Sequence, residues 1–142
     1  MNDNKKMKDI EERYQIASGL NDRKFYKIYY SHIHSFPILV LGYNPGGIPD
    51  STYLAASNSF YEKWEHDYVK FRNDYRYTMA SPTMNLLSFA FGTKSANTLR
   101  QIPATNIIFK RTPSSGGVKS SDFDVTSPFL QELIEIVAAE LI

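Results

Sequence analysis

Cysteine is absent from the 142 residues, which removes disulfides, thiolate nucleophiles and every cysteine-ligated metal site in one step. Long apolar runs are absent too. The longest, Phe36 to Tyr43, falls far short of the ~20 residues that cross a bilayer. Met1 is followed by Asn-Asp-Asn-Lys-Lys and not by an apolar stretch, so no secretory leader is legible and a cytoplasmic location with no membrane partner is expected. Walker A, Gly-x-Gly-x-x-Gly and Gly-x-Ser-x-Gly patterns are missing, as are internal repeats and low-complexity tracts. Acidic residues are missing from the 47 residues between Tyr75 and Ser121, which hold Arg76, Lys94, Arg100, Lys110, Arg111 and Lys119. The remainder carries ten bases and fifteen acids, a balance of −5 hidden inside an overall +1. Such a stretch predicts a positive field facing a polyanion such as nucleic acid, unless the fold interleaves its bases with carboxylates from elsewhere.

What is present is ordinary for a globular chain. Apolar residues make up 42% and aromatics 14% of the sequence, which argues against disorder. The length predicts one domain, large enough to bury about two-thirds of its unfolded surface.

Lys5 to Ser18 reads as an amphipathic helix with Met7, Ile10, Tyr14 and Ala17 on one stripe, stopped by Gly19. The mixed aromatic stretch Lys24 to Ser35 is expected to pack Phe25, Tyr26, Ile28, Tyr29 and Tyr30 on the core. Phe36 to Tyr43 suits a strand buried on both faces of a parallel sheet. The loop Gly42 to Asp50 follows it. Ser57 to Arg72 predicts a helix with Phe60, Trp64, Tyr68 and Phe71 on one face, more consistent with core than with base stacking. Ser81-Pro82 predicts a helix start, with Met84, Leu87 and Phe91 leading to Gly92. A second strand is expected over Ile102 to Lys110, centred on Ile107, Ile108 and Phe109. A polar loop over Thr112 to Ser121 follows, and Ser127-Pro128 opens a last helix with Leu130, Leu133, Ile134, Val137 and Leu141 buried. The order implies an α/β fold with a small, mostly parallel sheet, and both polar loops lie past the carboxyl ends of its strands, where such sheets bind ligands. With two strands and a last helix that stops mid-pattern, the domain is expected to be cut or completed by a partner.

The loop Gly42-Tyr43-Asn44-Pro45-Gly46-Gly47 is the most informative segment. Its glycines permit close backbone approach to a ligand, and Asn44 is the one good hydrogen-bonding side chain in the turn, suited to orienting a water. Asn-Pro-Gly is equally ordinary turn chemistry.

Strand-Gly-x-Asn-Pro-Gly resembles the first active-site motif of the uracil-DNA glycosylase superfamily, most nearly its mismatch-specific and single-strand-selective branches. Ala104-Thr105-Asn106-Ile107-Ile108-Phe109-Lys110-Arg111-Thr112-Pro113 is similar to the Thr-Asn-Val-Val-Lys-x-Arg-Pro-Pro segment of another branch. The resemblance covers roughly Phe36 to Ile142. It implies a three-layer α/β/α fold and a base-excision DNA-repair hydrolase that works without a cofactor on DNA or a nucleobase. It implies that Asn44 orients the attacking water, that Asn106 reads a flipped base through its amide, and that Gly42, Tyr43, Pro45 and Gly46 line the pocket. Lys110, Arg111 and Lys119 are the candidates for phosphate contact. Gly46 stands where the tightest uracil-specific branch has a bulky tyrosine, so a roomier pocket is implied. The stacking aromatic has three candidates, Tyr53, Phe60 and Tyr61. The family's second motif, His-Pro-Ser or Asn-Pro-Ser after a fourth strand, has no counterpart through Ile142. Thr112-Pro113-Ser114-Ser115 follows the second strand and is not assigned to it. The resemblance therefore implies one glycosylase-like domain over residues 1–142 without the family's C-terminal part. Two functions stay open: a glycosylase, and a non-catalytic member of the fold that binds a base, nucleotide or DNA. An unrelated module using the Gly-rich loop for phosphate is a third. His32 and His34 alternate and would share a face on a strand, but no third metal ligand is near in sequence.

Overall fold

The computed structural model describes residues 3–46, 66–74 and 78–139. Helix α1 spans Asp3–Ser18 and turns Met7, Ile10 and Tyr14 inward; Ala17 faces solvent, outside the expected stripe. Gly19 closes it in the left-handed region, φ 73°, where its missing Cβ avoids a clash. Glu11 is also buried, and its carboxylate is satisfied by Arg23 at 2.7 and 2.9 Å and by the Tyr26 hydroxyl at 2.6 Å.

A single 3₁₀ turn, Arg23–Phe25, leads into an extended aromatic segment. Tyr26, Ile28, Tyr29 and Tyr30 are buried as expected, while Phe25 is exposed. This segment runs antiparallel to the second half of the chain: Lys27 N donates to Phe109 O (2.8 Å), Tyr30 N to Ala104 O (3.2 Å) and Arg111 N to Phe25 O (2.8 Å).

Strands β1 (Val40–Gly42) and β2 (Ala104–Asn106) form a two-stranded parallel sheet, giving a small α/β fold. Both are shorter than expected. Pro37 has no N–H to give a ladder and the Phe36 N–H is used by Val137 O (3.1 Å), so parallel pairing begins only at Val40. Leu41 is 43% exposed, so β1 is not buried on both faces. Regular pairing in β2 ends at Asn106, so its centre is Thr105 and not Ile108.

The helices that follow are α2 (Asp67–Lys70), α3 (Ala80–Phe91), α4 (Ala96–Leu99) and α5 (Ser120–Ala138). Of the helix expected over Ser57 to Arg72, the part carrying Phe60 and Trp64 lies outside the described residues, and the remainder is a single turn. In α3, Pro82 falls in the first turn, where backbone N–H groups have no helical partner, so it is tolerated behind Ala80. Gly92, at φ 63°, ends the helix where expected. Helix α5 starts seven residues earlier than Ser127. Lys119 N donates to the Asp122 carboxylate (2.8 Å), a cap that nucleates the helix, and Pro128 sits on an exposed face where water can satisfy the freed carbonyl. Its buried stripe is Phe129, Leu133, Ile136 and Val137; Ile134 is exposed and Leu141 lies outside the described residues.

Two apolar clusters result. One joins α1 and α5 through Met7, Ile10, Tyr14, Phe129, Leu133 and Phe109, with Tyr14 meeting Tyr26, Phe109 and Phe129 edge-on at 5.2–5.7 Å. The other joins α2, α3 and α4 to β2 through Tyr68, Met84, Leu87, Leu99 and Ala104. Among the described residues no helix is long and apolar enough to cross a membrane.

Candidate functional site

Because β1 and β2 are parallel, the loops that leave them emerge at one edge. The register pairs Gly42 with Asn106. The Asn106 carboxamide lies directly across the Gly42 backbone: a Cβ at position 42 would sit 2.2 Å from Asn106 Oδ1. Only glycine permits this approach. Asn106 is buried, and its Nδ2 donates to the Tyr30 hydroxyl at 2.9 Å. Burial, reinforced by Tyr68, drives the Tyr30 pKa upward, so it stays a phenol that can accept that bond.

The two loops then run side by side. Ile107 N donates to Gly42 O (2.8 Å), Ile108 N to Tyr43 O (2.9 Å) and Thr112 N to Pro45 O (3.1 Å). Asn44 spans them: its Nδ2 donates to Thr112 Oγ1 (2.7 Å) and to Pro45 O (3.2 Å). Tyr43 is exposed, with its ring 6.2 Å from that of Phe123, and Pro45 is buried. Gly46 is exposed, and its carbonyl accepts from Arg111 Nη1 at 2.6 Å. The structure thus gathers Gly42, Tyr43, Asn44, Pro45, Gly46 and Asn106 at one sheet edge.

The basic candidates separate. Arg111 is not a surface cation: it is 7% exposed, with its guanidinium directed at the carbonyls of Gly46 and Lys24. An arginine's forked donors suit this clamp, which ties the β1 loop to the aromatic segment. Lys110 lies 3.6 Å from the Asp122 carboxylate, and Lys119 is exposed at the start of α5. The stacking candidates Tyr53, Phe60 and Tyr61 lie outside the described residues.

Sequence reasoning missed the charge beneath this edge. Lys27 and Asp67 form an ion pair with both side chains 1% exposed. Lys27 Nζ also lies 4.4 Å from the centroid of the Tyr30 ring, the same tyrosine that holds Asn106. Burial pushes Lys27 down to about 8, although Asp67 pulls it the other way. The available signal was Lys27 itself, a cation inside an aromatic run.

Next to Asp67, His66 is buried between two backbone groups. Its Nδ1 accepts from Tyr68 N (3.2 Å), which fixes the proton on Nε2 and directs it to Ile102 O (2.9 Å). Burial pushes its pKa down to about 4 from 6.5. The folded state therefore binds a proton less readily than the unfolded chain, and stability contributed by neutral His66 is lost as pH falls from 6.5 towards 4. Urea unfolding of the wild type and His66→Gln at a series of pH values checks this. The wild type should lose roughly 3 kcal/mol more than the variant across that window.

His32 and His34 lie on no strand; their rings are 6.0 Å apart and a His34 ring nitrogen meets Gln101 O at 2.6 Å. Among the described residues, no group of three or more His, Asp or Glu could hold a metal. No protein family, curated protein or solved structure matches the chain.

Proposed function

We propose that the chain is a uracil-DNA glycosylase-like protein of the cytoplasm, built as three layers, α/β/α, around a small, mostly parallel sheet. It hydrolyses the N-glycosidic bond of uracil or a related damaged base in DNA, without a cofactor. The observation that carries this reading is the Gly42–Asn106 register, which brings two asparagines from distant sequence to one edge. Two apolar clusters, one involving α1 and α5 and the other α2, α3 and α4, support the layered arrangement. The extruded base is read by Asn106, whose carboxamide offers an acceptor and a donor to the N3–H and O4 of uracil. Gly42, Tyr43, Pro45 and Gly46 line its pocket. Asn44 holds a water through Oδ1; the water oxygen bonds to C1′ as the C1′–N bond breaks, the base departs with the bonding electrons, and the water's proton passes to solvent or base. Cleavage with oxocarbenium character depends on positioning more than on a strong base, so an amide suffices. Lys110 and Lys119 meet phosphate.

One observation favours the non-catalytic alternative, a fold member that binds a base, nucleotide or DNA: Asn106 is 2% exposed and already bonded to Tyr30. Labelled oligonucleotides carrying uracil, hypoxanthine, xanthine or 5-hydroxymethyluracil, treated with alkali after incubation, decide between them. The expected result is cleavage that falls at least about 10²-fold in Asn44→Ala. Absence of cleavage by a folded chain that still binds the oligonucleotides, with binding unchanged in Asn106→Ala, would install the alternative.

A further inference from the structure

The geometry points to Thr112 as a positioning residue that decides which atom Asn44 presents to the site. This rests on the proposed role of Asn44. The segment Thr112-Pro113-Ser114 stands after the wrong strand to be the family's second motif, yet it folds back onto the first. Thr112 is 6% exposed and bonded at both backbone and side chain. Its N–H donates to Pro45 O at 3.1 Å, which sets it against the Asn44 turn. Its hydroxyl donates to Ser114 O at 2.6 Å, so the hydroxyl hydrogen is committed and the oxygen faces Asn44 as an acceptor. Asn44 Nδ2 fills that acceptor at 2.7 Å and places its other hydrogen towards Pro45 O at 3.2 Å. Both amide hydrogens are thereby used, and among the described residues nothing donates to Asn44 Oδ1. The carboxamide cannot flip without setting its oxygen against the Pro45 carbonyl and its NH₂ away from both acceptors. A water at this edge therefore meets an acceptor of fixed direction. Gly117 leaves the room that Thr112 occupies: a Cβ there would come within 3.1 Å of Thr112 Cβ.

The test reads the amide directly and catalysis separately. Thr112→Val keeps the branched shape and removes the hydroxyl; Thr112→Ser keeps the hydroxyl. In ¹⁵N-resolved spectra of the full chain, the Asn44 side-chain protons should exchange with solvent at least about tenfold more slowly than those of the exposed Asn73. That protection should vanish in Thr112→Val and return in Thr112→Ser. On a uracil oligonucleotide, Thr112→Val should lower kcat by ten- to a hundredfold with KM changed less than about twofold, and serine should restore it. Unprotected Asn44 protons in the wild type would overturn the assignment whatever the variants do, and so would protection that survives in Thr112→Val. A wild type with protected protons and no glycosylase activity would sink the glycosylase reading while upholding the orientation of Asn44 by Thr112.

Discussion

Gly42→Ala should destabilise the chain by about 2–4 kcal/mol and remove the base recognition proposed for Asn106. The cause is not backbone conformation. The described glycines with positive φ are Gly19 and Gly92, and Gly42 is neither. The cause is space: the added methyl would stand 2.2 Å from Asn106 Oδ1, with Asn106 Cγ at 3.4 Å and the Tyr68 hydroxyl at 3.6 Å. The Asn106 carboxamide sits on one short, buried methylene and so has little room to yield. To admit the methyl, Asn106 must rotate, which breaks its 2.9 Å bond to Tyr30 and leaves a buried amide without its partner. The alternative is for β1 to part from β2, which costs the ladder. Gly46→Ala is the control, because among the described residues nothing lies within 4 Å of a Cβ there. Chemical unfolding of both variants checks the pair. Gly46→Ala should stay within about 0.5 kcal/mol of the wild type. Equal behaviour of the two alanines would mean that Asn106 does not lie across Gly42.

The parts of this site that the sequence made legible are local ones. Gly-x-Asn-Pro-Gly is a turn whatever surrounds it, and an apolar run that ends in glycine reads as a strand, although β1 is neither as long nor as buried as that run suggests. The helix stops at Gly19 and Gly92 are equally local, because a residue without Cβ can enter the left-handed region cheaply. Boundaries failed where a distant group took a backbone donor. Phe36 gives its N–H to α5, so β1 starts at Val40. The start of α5 was misread because Ser-Pro is a helix-start signal only when no better cap precedes it, and Asp122 supplied one at Lys119. The basic stretch misled in one position. Arg111 looked like a free charge because its acceptors, the carbonyls of Lys24 and Gly46, are 87 and 65 residues away. Lys27 with Asp67 and Asn44 with Thr112 are separated by 40 and 68 residues, and no periodicity in one chain announces such pairs.

Asp67→Asn should cost about 3–5 kcal/mol at neutral pH, the largest loss expected of any single substitution at this edge. The wild-type pair is closed off from water, so Lys27 keeps its proton largely through Asp67. With the carboxylate gone, the ammonium faces Arg111 and Lys70, whose charges already disfavour it, and the Tyr30 ring 4.4 Å away is a weaker attraction than a carboxylate. Lys27 must then either stay charged and buried without the Asp67 carboxylate or give up its proton, and either route draws on folding free energy. The sign of the pH dependence follows. A buried lysine with a pKa of about 8, below its ordinary 10.5, holds its proton less tightly than the unfolded chain does, so its contribution to stability rises as pH climbs from 8 towards 10.5. The tyrosines act oppositely at the upper end. Burial pushes Tyr68 up to about 12, so stability falls once unfolded tyrosines ionise above 10. Urea unfolding should therefore show the Asp67→Asn deficit narrowing as pH rises from 7 towards 8, because the variant's lysine, without Asp67, gives up its proton before the wild type's does. Lys27→Met combined with Asp67→Asn should recover most of the loss, because it is the buried charge and not the missing bond that costs so much. A deficit under about 1 kcal/mol, constant across that range, would mean that water reaches the pair and that the floor of this site is wet.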